Sequence, residues 1–183
     1  LNTMVFQVGY HYNLLLPKYD RFPQSVLVPS KNHQFELALS GGWKTDDQLT
    51  GKKYFIASFT GDYRFVFSRR YSAGAGIDLF HDSALGPNKE SHRKQNYTQA
   101  DLYQAGVHGA FAVRVSKLQV FLNVGTYVYA RYTKYSRIFG RLGVRYDLTP
   151  NVFLNLSIKS HFAIADFVEW GVGYRINFSG DEK

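Results

Sequence analysis

Cysteine is absent from the 183 residues, which excludes a disulfide framework and any thiolate metal site. Methionine occurs once and proline five times. No stretch approaches the ~18 consecutive apolar residues of a transmembrane helix. No signal peptide is visible at Leu1, although a mature exported protein would already have lost one. The length fits one domain. Charge of one sign is in excess, with a formal net charge of +8, which points to an acidic partner surface such as phosphate, anionic lipid or nucleic acid.

Aromatic residues and glycine are plentiful instead, with 14 Tyr, 15 Phe and 16 Gly. They fall in long alternating runs. In the last run, Val168, Trp170, Val172, Tyr174, Ile176 and Phe178 alternate with Glu169, Gly171, Gly173, Arg175 and Asn177. Before it, Val152, Leu154, Leu156 and Ile158 oppose Asn155, Ser157, Lys159 and His161. Period-two patterns of this length predict strands with one apolar and one polar face. The final run is long enough to cross a bilayer as a tilted strand of ~9–11 residues.

Similar runs begin near residues 33, 54, 71, 99, 118 and 138, and an earlier one covers 4–16 before Pro17. The connections alternate between short (SRR, VS, DLTPN) and longer polar ones (82–98 and 130–136). Outer-membrane barrels have this asymmetry, and even strand numbers. The pattern therefore predicts an all-β chain forming an eight-stranded antiparallel up-and-down outer-membrane barrel over 33–178. Segment 1–32 is then a possibly non-spanning, strand-like addition within the single domain 1–183. In the run at 118, Tyr127 and Tyr129 are assigned to the polar face.

A soluble lipocalin-like barrel alternates too, but with its apolar face inward around a ligand. The polar set here includes Glu36, Asp62, Arg64, Asp78, Arg114, Arg141, Arg145, Lys159, Glu169 and Arg175. Mixed in sign and rich in Arg, it suits an interior of paired carboxylates and guanidiniums. The Val, Leu, Ile, Phe and Tyr opposite suit lipid. The basic residues are spread over lumen and loops rather than gathered in one stripe, which argues against nucleic acid.

One candidate site stands out. His161 and Glu169 lie near the loop that joins the last two strands, on the same polar face. A His–carboxylate pair can orient an imidazole as general base for ester hydrolysis. Asp166 is an alternative acid. Ser160 adjoins His161, but a regular strand directs it to the opposite face, so contact between them needs a bulge or a turn. The competing reading makes His161 and Glu169 two members of the lumen network, as it does His108. His81 and Asp82, at the start of the long loop, are near enough to join the site, yet make too short a signal for a metal centre. Neither a cofactor nor a metal is expected.

The segments SIKSHFAIADFVEWGVGYR, RYSAGAGIDLFHDSAL and FGRLGVRYDLTPNVF resemble the lipid A 3-O-deacylase family (PagL-type, acyloxyacyl hydrolases), and within it a Bacteroidetes-like branch. The likeness runs from about Val5 to Phe178. It implies an eight-stranded barrel in the outer membrane of Gram-negative bacteria, reached after signal-peptide removal, that hydrolyses the ester-linked acyl chain at position 3 of lipid A. It further implies a serine nucleophile, a histidine base and an acidic orienting residue near the outer leaflet. His161 matches the histidine and Glu169 best matches the acid. The family's serine lies two residues after the histidine, where this chain has Ala163. The histidine–acid spacing is also shorter than in the family.

With lipopolysaccharide as the implied partner, Lys89, His92, Arg93, Lys94, Arg131, Lys134 and Arg137 become candidate ligands for lipid A phosphates. The oligomeric expectation is a monomer or weak dimer. The alternatives are a non-catalytic small barrel (structural, adhesin or lipid-binding) and, further off, a soluble carrier.

Overall fold

The computed structural model describes residues 33–45, 51–87, 90, 96–133, 136–161 and 164–178. The strand-like segment expected at 4–16 lies outside them. Eight strands follow in order: β1 (His33–Thr45), β2 (Lys53–Val66), β3 (Tyr71–Asp82), β4 (Tyr103–Val115), β5 (Leu118–Ala130), β6 (Ile138–Asp147), β7 (Val152–His161) and β8 (Ile164–Phe178). Each pairs antiparallel with its sequence neighbours, and β1 closes on β8 from His33↔Phe178 to Gly41↔Trp170. Closure leaves no sheet edge to satisfy in lipid. Strands of 10 to 15 residues are long enough to cross a bilayer at a tilt.

One end of the barrel carries the three short turns β2–β3, β4–β5 and β6–β7, and the other carries the longer β1–β2, β3–β4 and β5–β6 connections together with the two-residue step from His161 to Ile164. The β4–β5 turn is made by two residues, with Ser116 at φ 58°, the left-handed region such hairpins demand. At the opposite end the strand expected from residue 99 begins later, at Tyr103. Residues Gln99–Leu102 form a 3-10 turn instead. The Asp101 carboxylate accepts from the Thr98 amide (2.7 Å) and hydroxyl (2.9 Å), which coils the chain before it can extend.

The alternation sorts cleanly into lipid and lumen. Leu39, Trp43, Val124, Leu142 and Trp170 face out and are more than half exposed. Arg64, Arg141, Arg145, Glu36, Glu169 and Lys159 face in and are at most 2% exposed. Polar residues therefore line the inside, as expected of a membrane barrel rather than a lipocalin.

Two bulges change the phase. Between β4 and β5, Ala105 pairs with Tyr129 and Gly106 with Tyr127, leaving Val128 over. Tyr127 is thus buried while Tyr129 faces out with 42% exposure. This corrects the assignment of Tyr129 to the polar face, whereas Tyr127 lies there as expected. Between β7 and β8, Lys159 pairs with Phe167 and Ser160 with Ala165, leaving Asp166 over.

The lumen is filled rather than open. Near the turn end, Glu36 receives Arg64 Nε (2.9 Å), Arg175 Nε (2.5 Å) and Arg145 Nη1. Midway, His108 bridges Asp62 (2.8 Å) and Asp78 (2.6 Å). Arg141 then ties Asp78 (2.8 Å) to Glu169 (2.6 Å). Inward glycines make room for these large groups. A Cβ on Gly76 would lie 2.6 Å from His108 Nε2, and one on Gly173 would lie 2.1 Å from the Phe153 ring.

Candidate active site at the loop end of the barrel

His161 closes β7 at the loop end and points into the lumen mouth, with 8% exposure. Its Nε2 lies 3.1 Å from the Tyr127 hydroxyl, and its Nδ1 lies 3.7 Å from Asp166 Oδ2. The second distance is an electrostatic contact, too long for a hydrogen bond. Asp166 is the bulged residue of β8. Displacing it from the ladder turns both Asp166 and Phe167 inward, so a carboxylate arrives beside the imidazole.

Glu169 does not share this position. It is paired in register with Ser157, farther down the lumen. Its carboxylate accepts from Ser58 Oγ (2.6 Å) and Ser157 Oγ (2.9 Å) and pairs with Arg141. The expectation that hairpin geometry makes Glu169 the near neighbour of His161 is corrected here: the bulge gives that place to Asp166. Ser160 keeps the outward phase despite the nearby bulge, because the extra residue lies in β8 and not β7. Its hydroxyl donates to the Gly140 carbonyl at 3.4 Å.

Lys44 joins the cluster. Its ammonium contacts Asp166 Oδ1 at 2.6 Å and Asp82 Oδ2 at 3.2 Å, linking β1, β3 and β8 across the mouth. Beneath it, Lys159 Nζ lies 3.7 Å from the centre of the Phe80 ring and 5.1–5.8 Å from those of Tyr127, Phe167 and Phe139. A cation set among ring faces is stabilised by their quadrupoles. Neither lysine nor Tyr127 was singled out from sequence as a site residue. The only signal was a charge or hydroxyl on the inward phase near a strand end.

Among the proposed phosphate ligands, Arg131 is exposed at the loop end, as is Arg137. Lys89, His92, Arg93, Lys94 and Lys134 lie outside the described residues. His81 and Asp82 diverge, His81 outward and Asp82 into the Lys44 cluster.

A closed eight-stranded barrel with an apolar outside and a charged, filled inside defines a transmembrane β-barrel of the outer-membrane kind. The family model described as acyloxyacyl hydrolase, C-terminal domain (PagL-type), matches residues 33–178. The chain belongs to that family, one of hydrolases, and family and architecture together point to the bacterial outer membrane.

No curated protein matches the chain. Among solved structures, it is similar to a de novo designed transmembrane β-barrel (13% identity over 80% of this chain and 97% of that one, TM-score 0.48). The attachment invasion locus protein Ail of Yersinia pestis is 11% identical over 80% of this chain and 99% of its own, with a TM-score of 0.47. Neisserial surface protein A is 14% identical over 79% and 97%, with a TM-score of 0.40.

Proposed function

We propose that this barrel is a lipid A deacylase, hydrolysing the ester that joins a 3-O-linked acyl chain to lipid A in the outer leaflet. The observation that carries the reading is the family match, which spans the barrel from its first strand to its last. The loop end supports it. There His161, which matches the family's histidine by position, stands beside a carboxylate in a buried cluster at the loop end of the barrel. Activity in this reading depends on His161, with Asp166 rather than Glu169 as its acidic neighbour. Arg131 and the loop cations Lys89, Arg93, Lys94 and Lys134 are proposed to hold the lipid A phosphates by charge-assisted hydrogen bonds.

The second reading is a non-catalytic barrel. It is favoured by the way His161 and Asp166 are tied to Tyr127 and Lys44 inside the wall. Mass spectrometry of lipid A from cells expressing the protein separates the two. The deacylase reading predicts loss of one hydroxyacyl chain with the wild type and retention of that chain with His161→Ala. Unchanged lipid A from correctly folded, membrane-inserted wild type would support the non-catalytic barrel.

A further inference from the structure

We propose that Lys44 is a positioning residue of the site. Its ammonium holds the bulged Asp166 against His161, which keeps the ring proton on Nδ1 and leaves Nε2 as the base. The proposal rests on the ester-hydrolase reading for its reaction, and on the inner cluster at the loop end for its geometry.

A bulged residue is out of the ladder's register, so something besides pairing must fix where its side chain points. Asp166 is such a residue, left over between Lys159↔Phe167 and Ser160↔Ala165. Its anchor comes from across the seam that closes the barrel. The β1–β8 register runs from His33↔Phe178 to Gly41↔Trp170, and Lys44 lies beyond that point on the inward phase of β1. From there its Nζ reaches Asp166 Oδ1 at 2.6 Å. The same ammonium meets Asp82 Oδ2 of β3 at 3.2 Å, and Asp82 Oδ1 accepts the Ala84 amide hydrogen at 2.8 Å. Restraint thus passes from the backbone at Ala84 through Asp82 and Lys44 to Asp166. The other carboxylate oxygen of Asp166 faces His161 Nδ1 at 3.7 Å.

The far side of the imidazole is fixed separately. Its Nε2 lies 3.1 Å from the Tyr127 hydroxyl. The Tyr127 ring is itself packed against Phe139, with centroids 4.9 Å apart, and Phe80, at 5.9 Å. With a carboxylate at Nδ1 the ring proton resides there, and Tyr127 donates to Nε2. A hydroxyl or water that displaces Tyr127 meets an imidazole already in the tautomer of a general base.

Stability alone does not account for Lys44. The side chains of Lys44, Asp82 and Asp166 are 4–6% exposed, so all three charges have been drawn out of water. Apolar packing of similar volume stabilises as well as a buried ion pair or better, and this end of the lumen already has it in Phe80, Tyr127 and Phe139. What the ion pair adds is direction. It aims one carboxylate, on the one residue of β8 that the ladder leaves over, at the imidazole of β7.

The test uses the full chain folded in detergent micelles, with purified lipid A as substrate and ¹⁵N-histidine NMR as a readout that needs no turnover. Folding of each variant is checked by heat-modifiable migration on a gel. Lys44→Met leaves two buried carboxylates uncompensated, so it is paired with Lys44→Met/Asp82→Asn, which restores the charge balance of the cluster. Both variants are expected to lose ~100-fold in kcat, the scale of a misplaced catalytic group, with KM unchanged. Lys44→Arg, whose guanidinium can reach two carboxylates, recovers most of that loss. In the spectrum, wild type and Lys44→Arg show His161 as the Nδ1–H tautomer, its signals assigned by their absence from His161→Gln. Both Met variants lose that single pattern. A raised KM with kcat intact would make Lys44 a ligand for lipid A and overturn the positioning role. Wild-type kcat in the charge-balanced variant would overturn it too, by showing that only net charge matters. Should the wild type leave lipid A intact, the deacylase reading falls and the spectrum decides Lys44: a lost His161 pattern supports the proposal, and an unchanged one in the folded Met variants overturns it.

Discussion

At the scale of single residues, the lumen is held by buried charges that pair with one another in place of water. Glu36 faces the guanidiniums of Arg64, Arg145 and Arg175 while 1% exposed. Removing one partner of a buried pair leaves the others uncompensated, a loss of about 3–5 kcal/mol. Glu36→Gln is therefore expected to destabilise the barrel by about that amount. Denaturant unfolding from lipid vesicles measures it, and a loss under about 1 kcal/mol would mean the arginines find other partners. The inward phase of His161 near the loop end was legible from sequence. The carboxylate beside it was not, because strict alternation places Glu169 on the same face but cannot reveal that a bulge delivers Asp166.

At the scale of strands, the eight elements were legible because one face meets lipid and the other meets charge, so hydropathy flips at every residue. What alternation could not show is where it slips. Tyr127 and Tyr129 read as one face, yet Val128 is left over in the ladder and sends Tyr129 to the lipid. The glycines were equally opaque in sequence. Their reason is the bulk of groups on neighbouring strands, as with the Phe153 ring lying over Gly173. Gly173→Ala is expected to cost about 1–3 kcal/mol by overpacking. Combining it with Phe153→Ala should restore part of the loss relative to the sum of the single variants. Simple additivity in a double-mutant cycle would show that the ring and the glycine are not coupled.

At the scale of the whole molecule, the barrel presents apolar surface outward and a packed ionic network inward. Two consequences follow. With the lumen filled by side chains such as Arg64, Arg141 and Arg145, the protein should show no stable single-channel conductance in planar bilayers. A steady ohmic step would contradict the filled lumen. The lipid face should also resist charge according to depth. Leu122→Arg, near the middle of β5, should cost about 2–4 kcal/mol, and Val128→Arg, at its loop end, about 0–1 kcal/mol. Equal costs at both positions, measured by unfolding from vesicles, would argue against this placement in the membrane.

The proposed activity is hydrolysis of an acyl ester of lipid A. Its most direct test is incubation of the purified, folded protein with lipid A in ¹⁸O-labelled water, followed by mass spectrometry of both products. Hydrolysis predicts lipid A lacking one acyl chain, together with the free hydroxy acid carrying one ¹⁸O atom from the solvent. Intact lipid A, or an acyl chain passed to another lipid without the label, would contradict it.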